Sequence, residues 1–157
     1  MSKVKFDIDK DKLQVRMTHV FSAPPERLWK AYTDPSEIPK WWGPAHLTTV
    51  VDKMDVRVGG VWRFIQTEPN GNEYAFNGVY KELVAPKLLR DTFEYEPVPG
   101  HILQETFEFN PLTDGGTKLV STSQFESIED LEGMIAMDMV EGSTESQERL
   151  AALVATE

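Results

Sequence analysis

The most informative stretch of this chain reads Phe21-Ser22-Ala23-Pro24-Pro25-Glu26-Arg27-Leu28-Trp29-Lys30-Ala31-Tyr32-Thr33-Asp34-Pro35, and it leads on to Trp41-Trp42-Gly43-Pro44 and Gly59-Gly60. The two adjacent prolines end a strand and start a helix, because proline is well tolerated in the first turn of a helix. Within that helix Leu28, Trp29 and Tyr32 recur at helical spacing. A second helix is predicted to begin at Asp34, the N-cap, with Glu37 in the capping-box position. The stretch therefore predicts two short helices and a tryptophan loop that cover one end of a sheet.

Strand patterns lie on both sides of these helices. Segments 3–8 and 13–21 form a predicted hairpin, in the second arm of which Leu13, Val15 and Met17 alternate with polar residues. Six further segments have strand character and are separated by turn signals: 47–54, 61–68, 73–84, 88–96, 101–110 and 117–125. From Ser127 the pattern becomes helical to about residue 154, with an apolar stripe formed by Leu131, Met134, Ile135, Met139, Leu150 and Leu153.

These patterns predict one α+β domain that spans residues 1–157. A curved antiparallel sheet of about six to seven strands wraps around a long C-terminal helix, and two short helices follow the first main strand. A twisted sheet that wraps around one helix leaves a space between the two. That space is where a functional site is expected.

Composition excludes several classes of function. A chain of 157 residues with 40% hydrophobic content fits one domain with one core. No apolar run approaches the roughly 20 residues that span a bilayer, and the N-terminus has no signal-peptide pattern, so we expect a cytoplasmic protein. A net charge of −10 argues against nucleic acid and acidic membrane surfaces as partners.

The chain also lacks the usual signatures of metal and cofactor sites. It contains no cysteine, which excludes disulfides and thiolate ligands. Its histidines are His19, His46 and His101, and none has the spacing of a helical zinc site. A Walker loop and a Rossmann glycine motif are both missing. We therefore expect neither a bound metal nor a cofactor.

Several motifs in order resemble a known family. They are Gly59-Gly60-Val61-Trp62-Arg63-Phe64, Phe76-Asn77-Gly78-Val79-Tyr80-Lys81-Glu82-Leu83 and the closing segment Met139 to Leu150. The chain resembles the heat-shock-protein ATPase activator homologues of the START-like (SRPBCC, Bet v 1-like) superfamily. The resemblance implies a helix-grip fold that encloses a cavity. It leaves function open, because the superfamily includes ligand binders, cyclases and many other activities.

The residues that would line such a cavity form an apolar set with a polar strip. Family members often carry large apolar residues near Ser143 and Gln147, which here are polar and share one helix face. Ser121 and Ser123 share one face of the last strand. The predicted ligand-binding residues are Trp41, Trp42, His46, Trp62, Phe64, Phe76, Phe107, Ser121, Ser123, Met139, Ser143 and Gln147. The alternatives are that Ser143 and Gln147 face water and that both tryptophans only fill the core; otherwise one tryptophan is buried and its neighbour lines the mouth.

Carboxylates offer a second kind of chemistry. Glu94, Glu96, Glu105 and Glu108 are candidates, because an acid in an apolar cavity can be tuned toward neutral pH. If residues 97–100 form a four-residue turn, Glu96 lies opposite His101 and Thr92 lies opposite Glu105. The first pair is then either a contact at the hairpin tip or an acid–base pair at the cavity rim. The sequence assigns no catalytic residue.

Three functions compete at this point. The first is binding of an apolar or amphipathic small molecule in the cavity. The second is an enzyme of cyclase, dehydratase or hydrolase type that uses the same cavity, and it needs a histidine and an acid facing inward together. The third is a chaperone-ATPase-activator-like interaction, which is less favoured because we expect a single domain without a linked partner domain. The edge strand at residues 3–8 could also support a homodimer.

Overall fold

The structure, a computed structural model, describes residues 4–155. It contains eight strands: β1 (Lys5–Asp9), β2 (Gln14–Phe21), β3 (Thr48–Met54), β4 (Val61–Thr67), β5 (Glu73–Val84), β6 (Leu88–Tyr95), β7 (Ile102–Pro111) and β8 (Thr117–Gln124). Four helices complete it: α1 (Pro25–Thr33), α2 (Ile38–Trp41), α3 (Ile128–Ala136) and α4 (Met139–Ala155). The strands form one antiparallel sheet in the order β1-β2-β8-β7-β6-β5-β4-β3. This is the predicted α+β helix-grip fold.

The core lies between one face of the sheet and the helices. Alternation places Val15, Met17, His19 and Phe21 of β2 on that inner face, where all four are buried. Leu150 of α4 is fully buried in the same core. The prediction that the C-terminal helical region packs with its apolar stripe inward is confirmed at this residue.

The strand count differs from the prediction. The sheet has eight strands rather than six or seven, because the N-terminal hairpin contributes both arms and β1 pairs with β2 at the edge of the sheet. The first residue of the predicted segment 3–8 lies outside the described residues. No helix within residues 4–155 is long and apolar enough to cross a membrane.

Two helix boundaries also differ. The second helix begins at Ile38 rather than after Asp34, and Asp34 instead ends α1. The Asp34 carboxylate accepts hydrogen bonds from Ser36 N at 2.9 Å and Ser36 Oγ at 2.7 Å, which stabilises a turn before the helix. The C-terminal helical region divides into α3 and α4 at Asp138, whose φ of 62° lies in the left-handed region.

The register between β6 and β7 has the largest consequence for the site. Asp91 lies opposite Glu105, and Glu94 lies opposite Ile102. The pairing of Thr92 with Glu105 that a four-residue turn implies is wrong by one residue, because the connection between these strands is longer. A slip of one residue moves side chains to the other face of a sheet. The correct register brings two acids together on the inner face.

Candidate functional site

A cavity of about 590 Å³ lies between the inner face of the sheet, the α2–β3 loop and α4. Its walls include all the residues that the sequence singled out for ligand binding: Trp41, Trp42, His46, Trp62, Phe64, Phe76, Phe107, Ser121, Ser123, Met139, Ser143 and Gln147. That they contact a ligand stays a prediction.

Aromatic rings form one wall of the cavity. Trp42 meets Phe64 and Phe76 edge-on, with ring centroids 5.1 Å apart in both pairs, and Trp62 at 6.4 Å. Edge-to-face contacts of this kind add to the stabilisation that burial provides. The wall is therefore both apolar and firmly packed.

The two adjacent tryptophans point in different directions, but both line the same cavity. Trp41 is 2% exposed, and its Nε1 donates a hydrogen bond to Ala31 O at 3.0 Å. Its ring also packs on Tyr32, with centroids 4.7 Å apart. Trp42 is half-buried and reaches the aromatic wall. Trp41 thus holds α2 against α1, while the ring of Trp42 faces the cavity.

The loop after α2 is fastened to α4. Ser146 Oγ donates to Trp41 O and accepts from Gly43 N, both at 3.1 Å. Arg149 Nη1 donates to Gly43 O at 2.7 Å. Glu145 Oε2 accepts from Ala45 N at 2.7 Å. His46 follows in this loop and is exposed at the cavity mouth.

Gln147 joins three elements through what we call the Gln147 network, which consists of His19, Gln147 and Tyr32. Its Nε2 donates to Tyr32 Oη at 3.0 Å, and its Oε1 lies 3.0 Å from His19 Nδ1. Because an amide oxygen only accepts, His19 carries its hydrogen on Nδ1. Burial raises the pKa of Tyr32 far above its ordinary value, so the phenol stays neutral. Gln147 lines the cavity, but both ends of its amide bind the protein itself.

The most unusual chemistry is a pair of acids, Asp91 on β6 and Glu105 on β7, which we call the carboxyl pair. Both residues line the cavity, and they are direct partners across the two strands. The pKa of Asp91 is raised well above its ordinary value, first by burial and then by the charge of Glu105. Burial likewise raises the pKa of Glu105 to about 7. Two such acids in an apolar site share a proton rather than ionise together.

Sequence reasoning included Glu105 among its candidates but missed Asp91. The signal was present in β6, where Leu89, Asp91, Phe93 and Tyr95 occupy every second position and therefore share one face of the strand. All four line the cavity, so the acid occupies a position in an otherwise apolar inward row. Among the other candidates, Glu108 is exposed on the outer face.

The predicted contact between Glu96 and His101 is wrong. Glu96 accepts hydrogen bonds from Arg63 at 2.8 and 2.9 Å and from Asn77 Nδ2 at 2.8 Å. These bonds, with Arg63 first, lower the pKa of Glu96 to about 2. His101 Nδ1 lies 2.7 Å from Asp130 Oδ1 on α3. Glu96 and Asp130 are therefore both separate from the carboxyl pair.

The described residues also limit the chemistry of the site. Residues 4–155 contain no group of three or more histidine and acidic side chains arranged to hold a metal ion. The histidine that lies on the cavity wall, His46, sits at the mouth, while the carboxyl pair belongs to strands of the sheet. The cavity thus combines aromatic walls with a small number of polar and acidic side chains.

Comparison with solved structures shows the same fold in proteins of similar size. A protein from Arthrobacter aurescens, solved by NMR in solution, superposes with a TM-score of 0.91 at 25% identity, covering 99% of this chain and 94% of that one. The protein Ms6760 from Mycobacterium smegmatis gives 0.86 at 28% identity, covering 98% of both chains. PFC0360w, an Hsp90 activator from Plasmodium falciparum, gives 0.54 at 20% identity over 72% of this chain and 73% of that one, which shows likeness of fold alone.

Comparison of the sequence with family models agrees with the comparison of folds. The chain matches no curated protein sequence. Residues 22–155 match the family model described as Activator of Hsp90 ATPase homolog 1-like protein. This range runs from the end of β2 to the end of α4 and so includes both sides of the cavity. The chain therefore belongs to the family of activator of Hsp90 ATPase homolog 1-like proteins.

Proposed function

We propose that this protein binds a small apolar or amphipathic molecule in the cavity between the sheet and α4. The observation that carries the proposal is the cavity itself. Its volume of about 590 Å³ falls within the roughly 300–1,000 Å³ of typical small-molecule sites. Such sites combine apolar walls with a few polar groups that orient the ligand.

The composition of the walls supports this choice. Aromatic rings from β4, β5 and the residue that follows α2 surround one side, as the contacts of Trp42 with Trp62, Phe64 and Phe76 show. Polar side chains on the other side come from β8 and α4, where Ser121 and Ser143 line the cavity. An apolar body is expected against the rings and a polar group against the polar part of the lining.

Binding of a neutral fluorescent probe, N-phenyl-1-naphthylamine, tests the proposal. We expect enhanced fluorescence that saturates at one probe per protein and is displaced by decanol. Replacing Ser143 with tryptophan fills the cavity from α4, because Ser143 is half-buried on its wall. This variant should bind the probe at least about tenfold more weakly, which corresponds to about 1.4 kcal/mol.

Glu148→Trp is the matched control, since residue 148 is exposed on the same helix. It should bind the probe as the wild type does, and circular dichroism should show that both variants are folded. Failure of the wild-type protein to bind the probe would argue against the proposal, as would unchanged binding by Ser143→Trp. If the wild type does bind the probe, mass spectrometry of the molecules that copurify with it can identify a natural ligand.

A second candidate is an activator-like interaction with a heat-shock chaperone, which family membership favours. A pull-down with Hsp90 and an assay of its ATPase rate test this candidate. Capture together with a faster ATPase in the presence of this protein would support it. An unchanged rate would leave ligand binding as the better account.

A further inference from the structure

The carboxyl pair lies on the floor of the cavity. Asp91 is 7% exposed and is paired across the sheet with Glu105. The flanking inward residues are apolar, since Leu89 and Leu103 are buried and Phe93 and Phe107 line the same cavity. Burial of two acids among such residues is costly unless partners compensate for the lost water.

The pair has too few donors for its acceptors. No N–H or O–H group in the described part of the chain donates to Asp91 Oδ1, which is buried. Asp91 is the cross-strand partner of Glu105, and two carboxyl groups can hydrogen-bond to each other only if one of them carries a proton. One shared proton leaves the remaining oxygen lone pairs to be filled from elsewhere. A ligand that brings N–H donors would fill them.

Within the described residues 4–155, the groups that surround the pair carry no positive charge. Across β5, Tyr80 lies opposite Asp91, and burial raises the pKa of its phenol, so it is neutral. From α1, Tyr32 is neutral for the same reason, and Gln147 of α4 binds that phenol. On β8 the partner of Glu105 is Ser123.

The cavity as a whole is acidic. Its acidic lining residues are Asp91, Glu105, Asp138, Glu141 and Glu145. Within residues 4–155 no lysine or arginine lines it, and His46 is the basic residue at its mouth. Such a field attracts cations and repels anions, which argues against a fatty acid or phospholipid headgroup deep in the cavity.

We propose that the ligand is a cationic amphiphile, whose protonated amine binds Asp91 and Glu105 while its apolar part packs on the aromatic wall. This inference rests on the proposed function and adds the chemical class of the ligand. An ammonium group supplies three donors and a full positive charge to the donor-poor pair. Nearby rings such as Tyr80 and Phe93 can add cation–π attraction.

Binding should release a proton. An aliphatic amine stays protonated near neutral pH, since its pKa is about 10. When the ammonium group binds the pair, its positive charge takes the place of the shared proton. That proton passes to solvent, while the ammonium group keeps all its protons. Affinity for the amine should therefore rise between roughly pH 6 and roughly pH 8. Affinity for a neutral amphiphile should change little over this range.

Competition against N-phenyl-1-naphthylamine with three matched compounds, decylamine, decanol and decanoic acid, tests the inference. We expect decylamine to bind at least about tenfold more tightly than decanol, because hydrogen bonds to charged groups are the stronger class. Decanoic acid should bind most weakly. Titration calorimetry of decylamine in buffers with different ionisation enthalpies should show release of up to about one proton.

The double variant Asp91→Asn/Glu105→Gln keeps the shape of the pair and removes both acids. It should lose the preference for decylamine over decanol. Glu108→Gln, which removes an acid from the outer face of the same strand, should keep that preference. Proton release by the wild type is a readout that does not depend on the folding of any variant.

The outcomes separate the two proposals. If decanol binds and decylamine shows no preference or no proton release, the amine inference is overturned and ligand binding stands. An equally strong preference in the double variant, or tightest binding by decanoic acid, would also overturn it. If neither the probe nor any of the three compounds binds, both proposals fail.

Discussion

Two polar clusters lie in the core of this protein, and they differ in how well they are satisfied. In the Gln147 network, the amide of Gln147 donates to Tyr32 and accepts from His19 at 3.0 Å each. In the carboxyl pair, Asp91 Oδ1 meets no donor from the described residues. Both clusters lie beside the same cavity.

This difference separates a cluster that stabilises the fold from one that, under our proposal, binds a ligand. A buried polar group costs little when it is paired and about 1–3 kcal/mol when it is not. The Gln147 network connects β2, α1 and α4, so its bonds contribute to the fold. The carboxyl pair keeps a deficit of donors that folding alone does not remove.

The largest effect on both clusters is expected from Leu150→Ala. Leu150 is fully buried on α4, less than one turn after Gln147, and its truncation leaves a cavity in the core. We expect the free energy of unfolding to fall by about 2–5 kcal/mol, measured by denaturant titration. Leu153→Ala, at a half-buried position of the same helix, is the control and should cost less. A loss no larger than that of the control would show that α4 is not held to the sheet at this point.

The next effect separates the Gln147 network from other polar positions on α4. Gln147→Leu removes the acceptor of His19 Nδ1 and the donor to Tyr32, so the free energy of unfolding should fall by about 1–3 kcal/mol. Ser143→Val lies on the same helix face but at a half-buried position, and it should change stability by less than about 1 kcal/mol. Equal effects of the two substitutions would remove the distinction between a structural and a ligand-facing polar residue. Thermal and denaturant unfolding measure both.

The smallest effect, when it is taken per pH unit, is a pH dependence of stability that belongs to the carboxyl pair. The folded-state pKa values of Asp91 and Glu105 are raised, to about 7 for Glu105, so the folded protein binds more protons than the unfolded chain above roughly pH 4. The pair therefore contributes stability at low pH that is lost as pH rises toward 7 and beyond, at up to about 1.4 kcal/mol per pH unit for each proton. Unfolding of the wild type and of Asp91→Asn/Glu105→Gln, compared from about pH 5 to about pH 8, should show this slope in the wild type alone. A parallel dependence in both proteins would mean that the acids do not share a proton in the fold.

Much of the fold could be predicted from the sequence because its signals are local. Alternation in β2, the two prolines at the start of α1 and the Ser127 cap of α3 each act within a few residues, and the structure contains all three features. The cavity walls were also predictable in part, since ring-bearing strands and the face of α4 follow from periodicity. The second helix was placed too early because Asp34 forms a turn with Ser36 instead of a cap.

The sequence alone determined which side chains of each strand share a face, including the inward row of Leu89, Asp91 and Phe93. The pairing of Asp91 with Glu105 became visible only in the folded protein, because it depends on the register between two strands. Period-two alternation fixes faces within a strand and gives no register, which depends on the length of the connecting loop. A difference of one residue in that loop separates a predicted threonine beside Glu105 from the observed acid. For the same reason the satisfied network and the donor-poor pair could be told apart only after the strands and helices were in place.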